Sequence, residues 1–288
     1  MVFIGAETNY VNIPVVIGAA AISGANAIYS GYGFLSENAS FVAAIDEYSS
    51  ANPPIIFMGP NDKTMRLMGD KVSSRTLAKA NNVPLFASTE AFENPDMADL
   101  KRQIAEIGYP VIVKLSAGGG GKGMYPVFKE DEVEEAVTSC MRIGSDLYNY
   151  ARFYIEQFIQ EPVHIEVQVF NDRAVGIRKC AVQRRNQKII EESGHTFLPD
   201  HQAMLFLSAA ERLALVSGYG NCGAGTVEFL IDSKNGKMGF MEMNTRLQVE
   251  YGVTDQSLGI DLVKWQILYF DGRIAEIGDT SKIKYKID

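Results

Sequence analysis

Apolar residues fall along the first sixty positions in short blocks with two different periods. Residues 13–24 carry almost only small and aliphatic side chains and read as a buried helix. A short strand over 27–29 follows, then a glycine turn at Gly31 and Gly33, a second helix over 37–48 and an apolar strand over 55–58. Helices alternating with brief apolar strands predict half of a parallel α/β sheet. An opening strand and helix are expected to be missing ahead of it. That leaves an exposed sheet edge and, with it, the expectation of a partner, a homo-oligomer or poor solubility.

Beyond this block a helical pattern over 61–81 contains Lys71, and polar punctuation over 88–96 marks a lobe boundary. A second lobe begins near Leu100. In it, a strand over 110–115 runs into the loop Ser116-Ala-Gly-Gly-Gly-Gly-Lys122-Gly123-Met124, followed by another short strand and a helix over 130–143. A third, strand-rich lobe is expected over 153–157, 164–170, 174–182, 223–231 and 237–243, with a helix over 200–217 between the strands. The fold class is α/β followed by α+β. A chain of 288 residues is long enough to split into two or three such lobes.

Composition removes several functions. A net charge of −8 argues against a general nucleic-acid surface, which needs clustered Lys and Arg. The three cysteines, Cys140, Cys180 and Cys222, are scattered and odd in number. They have neither a disulfide framework nor metal-ligand spacing, so a reducing, cytoplasmic setting is expected. The apolar stretch at 13–23 has no basic residues before it and is too short to span a bilayer.

Chemistry enters with the glycines. Gly118, Gly119, Gly120, Gly121 and Gly123 let a backbone approach a polyphosphate and turn N–H groups toward it. The loop is neither a P-loop nor a dinucleotide fingerprint, and an ordinary hairpin turn is the alternative. Lys114, at the end of the apolar strand before the loop, is placed to reach the same phosphates; a surface lysine laid along apolar neighbours is the plainer reading. Glu228 and Glu242 each interrupt an apolar strand. If those strands are adjacent, both carboxylates and Asn244 gather into an oxygen-only set suited to Mg²⁺ on nucleotide phosphates, with structural salt bridging as the alternative. Arg246, Gln248 and Glu250 alternate, and in an extended segment would face one side: an anion fork beside a general base, or a solvated edge strand.

Five segments taken together resemble biotin carboxylase: Gly31-Tyr-Gly-Phe-Leu-Ser-Glu-Asn38, Arg66-Leu-Met-Gly-Asp-Lys71, the glycine loop, Gln183-Arg-Arg-Asn-Gln-Lys188, and Glu242-Met-Asn-Thr-Arg-Leu-Gln-Val-Glu250. The resemblance covers nearly the whole chain in order. It extends to the corresponding parts of acetyl-, propionyl- and methylcrotonyl-CoA carboxylases, the first tied to fatty acid biosynthesis, and of pyruvate carboxylase. It implies a partial pre-ATP-grasp α/β domain over 1–68, a two-lobed ATP-grasp domain over 69–275 with a small lid lobe over about 98–155, and a tail over 276–288. It further implies that Lys71 and Lys114 contact ATP phosphates while the glycine loop closes over them. The segment Glu156, Gln157, Ile159 would line the adenine pocket, with His164 and Gln183 near the nucleotide. Glu228, Glu242 and Asn244 would hold Mg²⁺ or Mn²⁺. Lys188, Arg246, Gln248 and the Val249 backbone would hold bicarbonate, and Glu250 would take its proton. The carboxyl group would pass through carboxyphosphate to biotin on a carboxyl carrier protein or domain, with carboxyltransferase subunits as further partners.

The chain departs from the family at Asn186 and Gln157, where His and Lys are usual, and at Tyr29-Ser30 and Tyr251-Gly252, where the family has His-Pro. The family's C-terminal domain, with the arginine that stabilises the biotin enolate, is expected to be absent. Two other readings are therefore carried forward: a nucleotide-binding fragment or paralogue without carboxylase activity, and another ATP-grasp ligase, such as a carbamoyl-phosphate or amino-acid ligase.

Overall fold

The computed structural model describes residues 1–116, 123–148, 151–184, 187–194 and 197–278. Its first unit follows the expected order: helix α1 (Ile13–Ser23), strand β1 (Ala27–Ile28), helix α2 (Ala39–Ala51) and strand β2 (Ile56–Phe57). Asn12 starts α1 by accepting from the Val15 N–H, and Gly24 ends it in the left-handed region, which a residue without Cβ enters freely. β1 and β2 pair in parallel, and Ile17, Phe41, Val42, Ile45 and Phe57 form the core between them and the helices.

The helical stretch over 61–81 is two helices, α3 (Asp62–Gly69) and α4 (Lys71–Ala80). The break is Asp70, which is extended and whose carboxylate accepts from the Ser73 N–H at 2.7 Å. A residue that caps a new helix cannot continue the old one. Lys71 thereby becomes the first residue of α4, and its backbone N–H is tied to the Ser116 carbonyl at 3.0 Å.

The small lobe contains helix α5 (Met97–Ile107), strands β3 (Val111–Leu115) and β4 (Met124–Val127), helix α6 (Val133–Tyr148) and strand β5 (Phe153–Gln157). β5, read from sequence as the start of the third lobe, instead pairs antiparallel with β3 and completes a sheet of order β4-β3-β5. Gly123 has φ of 70°, and a Cβ there would meet the Leu115 side chain at 2.4 Å, so the β3–β4 connection requires glycine at that point.

The large sheet has the order β10-β9-β6-β7-β8 and is antiparallel throughout: β6 (Pro162–Phe170), β7 (Arg173–Arg184), β8 (Gln187–Ser193), β9 (Ala224–Asp232) and β10 (Met238–Asn244). One face packs on helix α7 (Asp200–Val216) through Phe206, Leu213, Val167 and Phe229. The sequence reading did not foresee β8, an edge strand whose Ile189 and Ile190 are exposed. Nor did it foresee α5, α8 (Tyr251–Leu258) or α9 (Leu262–Phe270), the last of which packs on Phe170 and Leu247 through Leu262 and Trp265. Among the described residues no helix is long and apolar enough to cross a membrane.

Candidate functional site

A cavity of about 1090 Å³ opens between the small sheet and the face of the large one opposite α7. It is lined by Lys71, Lys114, Glu156, Gln157, Ile159, His164, Gln183, Lys188, Glu228, Glu242, Asn244, Arg246, Gln248, Val249 and Glu250. Residues spread over 180 positions of sequence, from Lys71 to Glu250, therefore line one cavity. Gly118, Gly119, Gly120, Gly121 and Asn186 lie outside the described residues. Gly123 is not part of the lining; its carbonyl accepts from the Leu115 N–H at 3.0 Å.

On the small-sheet side, Glu156 of β5 is buried between two cations. Lys114 Nζ donates to one oxygen at 2.6 Å and Arg75 Nη1 to the other. Burial would depress the Lys114 ammonium, but Glu156 beside it holds its pKa above the ordinary lysine value, so Lys114 stays charged. Arg75, from α4, also donates to the Phe86 carbonyl and the Ser88 hydroxyl and lies over the Tyr154 ring. Nothing in its sequence context had marked it.

On the large-sheet side, strand pairing brings the carboxylates together. Glu228 stands directly opposite Glu242 on β10 and opposite Glu166 on β6. Glu228 accepts from Asn244 Nδ2 at 2.6 Å, Gln248 Nε2 at 2.7 Å, Lys188 Nζ at 3.1 Å and the His164 ring at 2.7 Å. Burial would raise its pKa, but the bonds from His164 and Lys188 hold it well below the usual carboxylate range. Glu242 is shifted the other way by burial and by the Glu228 charge, with Lys71 Nζ at 3.5 Å as a partial offset. Gln183 Nε2 reaches the other nitrogen of His164 at 2.9 Å.

Lys188, on β8, is the hub of the far end. Its ammonium contacts Glu166, Glu228 and Glu250, the last at 2.5 Å. Burial lowers its pKa, but Glu228 and Glu250 outweigh that and raise it, so the group remains a cation. Arg246, Gln248 and Glu250 all line the cavity, but not by strand alternation. The chain bends at Thr245-Arg246 and turns at Val249-Glu250 into α8. The turn aims Gln248 at Glu228 and Glu250 at Lys188, and leaves Val249 exposed at the cavity edge.

Two residues beneath this floor were missed. Glu166 and Arg178 are fully buried, and Arg178 donates to Glu166 at 2.9 Å, Gln168 at 2.7 Å, Thr254 at 2.9 Å and Gln248 at 3.0 Å. The signal was present as His164, Glu166 and Gln168, polar at every second position of an otherwise apolar strand. Cys180, whose sequence spacing suggested no metal role, comes within 4.8 Å of His164 and Glu166. Glu166 there is already neutralised by Arg178 and Lys188.

The site carries oxygen donors for a hard cation, lysines for phosphates, and an Arg–Gln–Glu set beside a lysine for a small oxyanion. Known families and proteins match the chain that carries it. The biotin carboxylase N-terminal domain matches residues 2–65, and the ATP-binding domain of the carbamoyl-phosphate synthase L chain matches residues 70–275. The biotin carboxylase of Haemophilus influenzae is 40% identical over 264 residues, 90% of this chain and 57% of that protein. The mitochondrial methylcrotonoyl-CoA carboxylase subunit alpha of Glycine max is 40% identical over 96% of this chain and 37% of its own length. The biotin carboxylase domain of Hydrogenobacter thermophilus 2-oxoglutarate carboxylase, solved with MgADP, ADP and bicarbonate, superposes with a TM-score of 0.84 at 36% identity, over 94% of this chain and 59% of that one. The chain thus spans little more than half of these relatives, or less. Within that span the matched domains and the identities show that the chain belongs to the biotin carboxylase family, of which it carries the N-terminal and ATP-binding domains.

Proposed function

We propose that this chain carries out the ATP-dependent activation of bicarbonate for the carboxylation of biotin. The observation that carries the reading is the Lys188–Glu250 contact at 2.5 Å, made beside Arg246 and Gln248 at the end of the cavity where Glu228 and Glu242 face each other.

In this scheme Lys188, Arg246, Gln248 and the Val249 backbone bind bicarbonate. Glu250 removes its proton, and the freed oxygen attacks the γ-phosphorus of ATP. The bond to the leaving ADP oxygen breaks, giving carboxyphosphate. Catalysis of this kind is mostly positioning and charge neutralisation, which the dense network around Lys188 supports. Lys71 and Lys114 hold phosphates, and the 156–159 segment lines the adenine pocket with His164 and Gln183 nearby. Glu228, Glu242 and Asn244 fit Mg²⁺ or Mn²⁺. Their donors are all oxygen, and Glu242, raised first by burial and then by the Glu228 charge, forms with Glu228 a like-charge pair that a divalent cation would relieve. Such an ion supplies neutralisation of the charge on the transferring phosphates.

CO₂ from carboxyphosphate would then be taken by the ureido nitrogen of biotin on a carrier protein or domain. Carboxyltransferase subunits, a homo-oligomeric state and a cytoplasmic site complete the proposal, with an acyl-CoA or a keto acid, as in acetyl-CoA or pyruvate carboxylase, as final acceptor. The Glu250–Lys188 contact, with Arg246 and Gln248 lining the same cavity, supports bicarbonate over the amino-acid substrates of other ATP-grasp ligases.

The test is ATP cleavage with Mg²⁺, with and without bicarbonate. Glu250→Gln should lower bicarbonate-stimulated cleavage by about 10²-fold or more while nucleotide binding, followed by calorimetry, is unchanged. Equal cleavage by both proteins would sink the reading. An acyl-phosphate product on an amino acid, seen by mass spectrometry, would shift it to another ligase.

A further inference from the structure

We infer that Glu37, in the N-terminal unit, is a positioning residue for Arg246 and thereby sets the affinity of the site for bicarbonate; the inference rests on the bicarbonate reading above. Glu37 is held rigidly by its neighbours. The Ser36 N–H donates to the Gly33 carbonyl at 3.0 Å, Ser36 is buried, and Asn38 caps α2 by accepting from the Phe41 N–H at 3.0 Å. From this fixed point its carboxylate crosses to the bend after β10. One oxygen accepts from the Thr245 N–H at 3.3 Å and the other from Arg246 Nε at 2.8 Å.

The remaining contacts of Arg246 complete the picture. Nη1 donates to the Leu247 carbonyl and Nη2 to Asn244 Oδ1, each at 3.2 Å. All three guanidinium nitrogens are therefore engaged, and of the five N–H donors of an arginine two are left, one on each terminal nitrogen. That pair is what a planar, carboxylate-like anion takes in a two-point bond. Without Glu37 the Nε edge would be released and the fork would lose its fixed direction.

The Glu37 carboxylate adds little to fold stability, because both members of the pair are partly exposed, 38% and 21% for Glu37 and Arg246. Its effect belongs to the orientation of the site. A carboxylate so close to an anion site also acts in the opposite sense, by repulsion, and two substitutions separate the two effects. Glu37→Gln keeps an acceptor oxygen for Nε and removes the charge. Glu37→Ala removes both.

The experiment is bicarbonate-dependent ATP cleavage by the whole chain, with bicarbonate binding in the presence of MgADP followed by ¹³C NMR. If Glu37 positions Arg246, Glu37→Ala raises the KM and Kd for bicarbonate about tenfold and Glu37→Gln about two- to threefold, with the KM for ATP within about twofold of wild type, the scale of one hydrogen bond to a charged group. A Glu37→Ala protein with an unchanged or lowered KM for bicarbonate, beside a responsive wild type, would overturn this inference alone. A wild-type chain that neither binds nor uses bicarbonate would overturn the functional reading, and this inference with it.

Discussion

The two walls of the cavity solve the same problem in opposite ways. On the small sheet a single buried carboxylate, Glu156, is shared by two cations, Arg75 and Lys114. On the large sheet Glu166, Glu228 and Glu242 stand in a row across three adjacent strands, with Lys188 and Arg178 placed between and beneath them. The first wall is weighted toward positive charge, the second toward negative. A polyphosphate bridged by a divalent cation has that same polarity, its bare oxygens suited to lysines and its metal to carboxylates. Burial makes each arrangement consequential, since neither wall leaves its charges in bulk water.

The contrast can be broken most severely from beneath the large wall. Arg178→Leu leaves Glu166 buried with Lys188 as its remaining cation among the contacts described, and should cost about 3–5 kcal/mol in chemical denaturation. Replacing Glu166 and Arg178 together by apolar residues should cost less than the single change, which would identify stranded charge as the cause. The small wall should be more forgiving. Arg75→Leu leaves Glu156 paired with Lys114 and should cost about 1–3 kcal/mol. It should also weaken nucleotide binding, because the Lys114 ammonium is then held by an undivided carboxylate. Equal losses at the two walls would contradict the difference drawn here.

The smallest expected effect sharpens the comparison through pH. Asp255, on α8 behind the large wall, has its carboxyl raised to about 6, chiefly by burial, while it accepts from the Leu262 N–H. A raised carboxyl favours the folded state while protonated. Its contribution is fully present below the ordinary value of 3.8 and is lost as pH rises through about 6. Asp255→Asn keeps an acceptor and removes the titration, so the melting temperature of the variant should decline less than that of wild type between those two values.

Much of this molecule was readable along the chain. Alternating apolar blocks located every strand but β8, and the helices α1, α2, α6 and α7, and the acidic residues interrupting β9 and β10 announced a site, because a carboxylate in an apolar strand demands a partner. The missed pieces fail for identifiable reasons. β8 alternates too weakly, with isoleucines exposed on an edge. The 61–81 helix hides a cap at Asp70 inside a helical pattern. β5 was assigned to the wrong lobe because an apolar strand carries no mark of which sheet it joins.

The sequence by itself determined the local elements and the inventory of chemical groups, since periodicity and capping act over a few residues. It also determined family, through long matching segments. Only the tertiary structure decided which groups meet. Glu228 finds both Glu166 and Glu242 because strand register aligns them. Arg75 reaches Glu156 across 81 positions, and Glu37 reaches Arg246 across 209. Such pairings are selected by the packing of whole sheets and helices, whose long-range closure leaves no trace in the residues beside either partner.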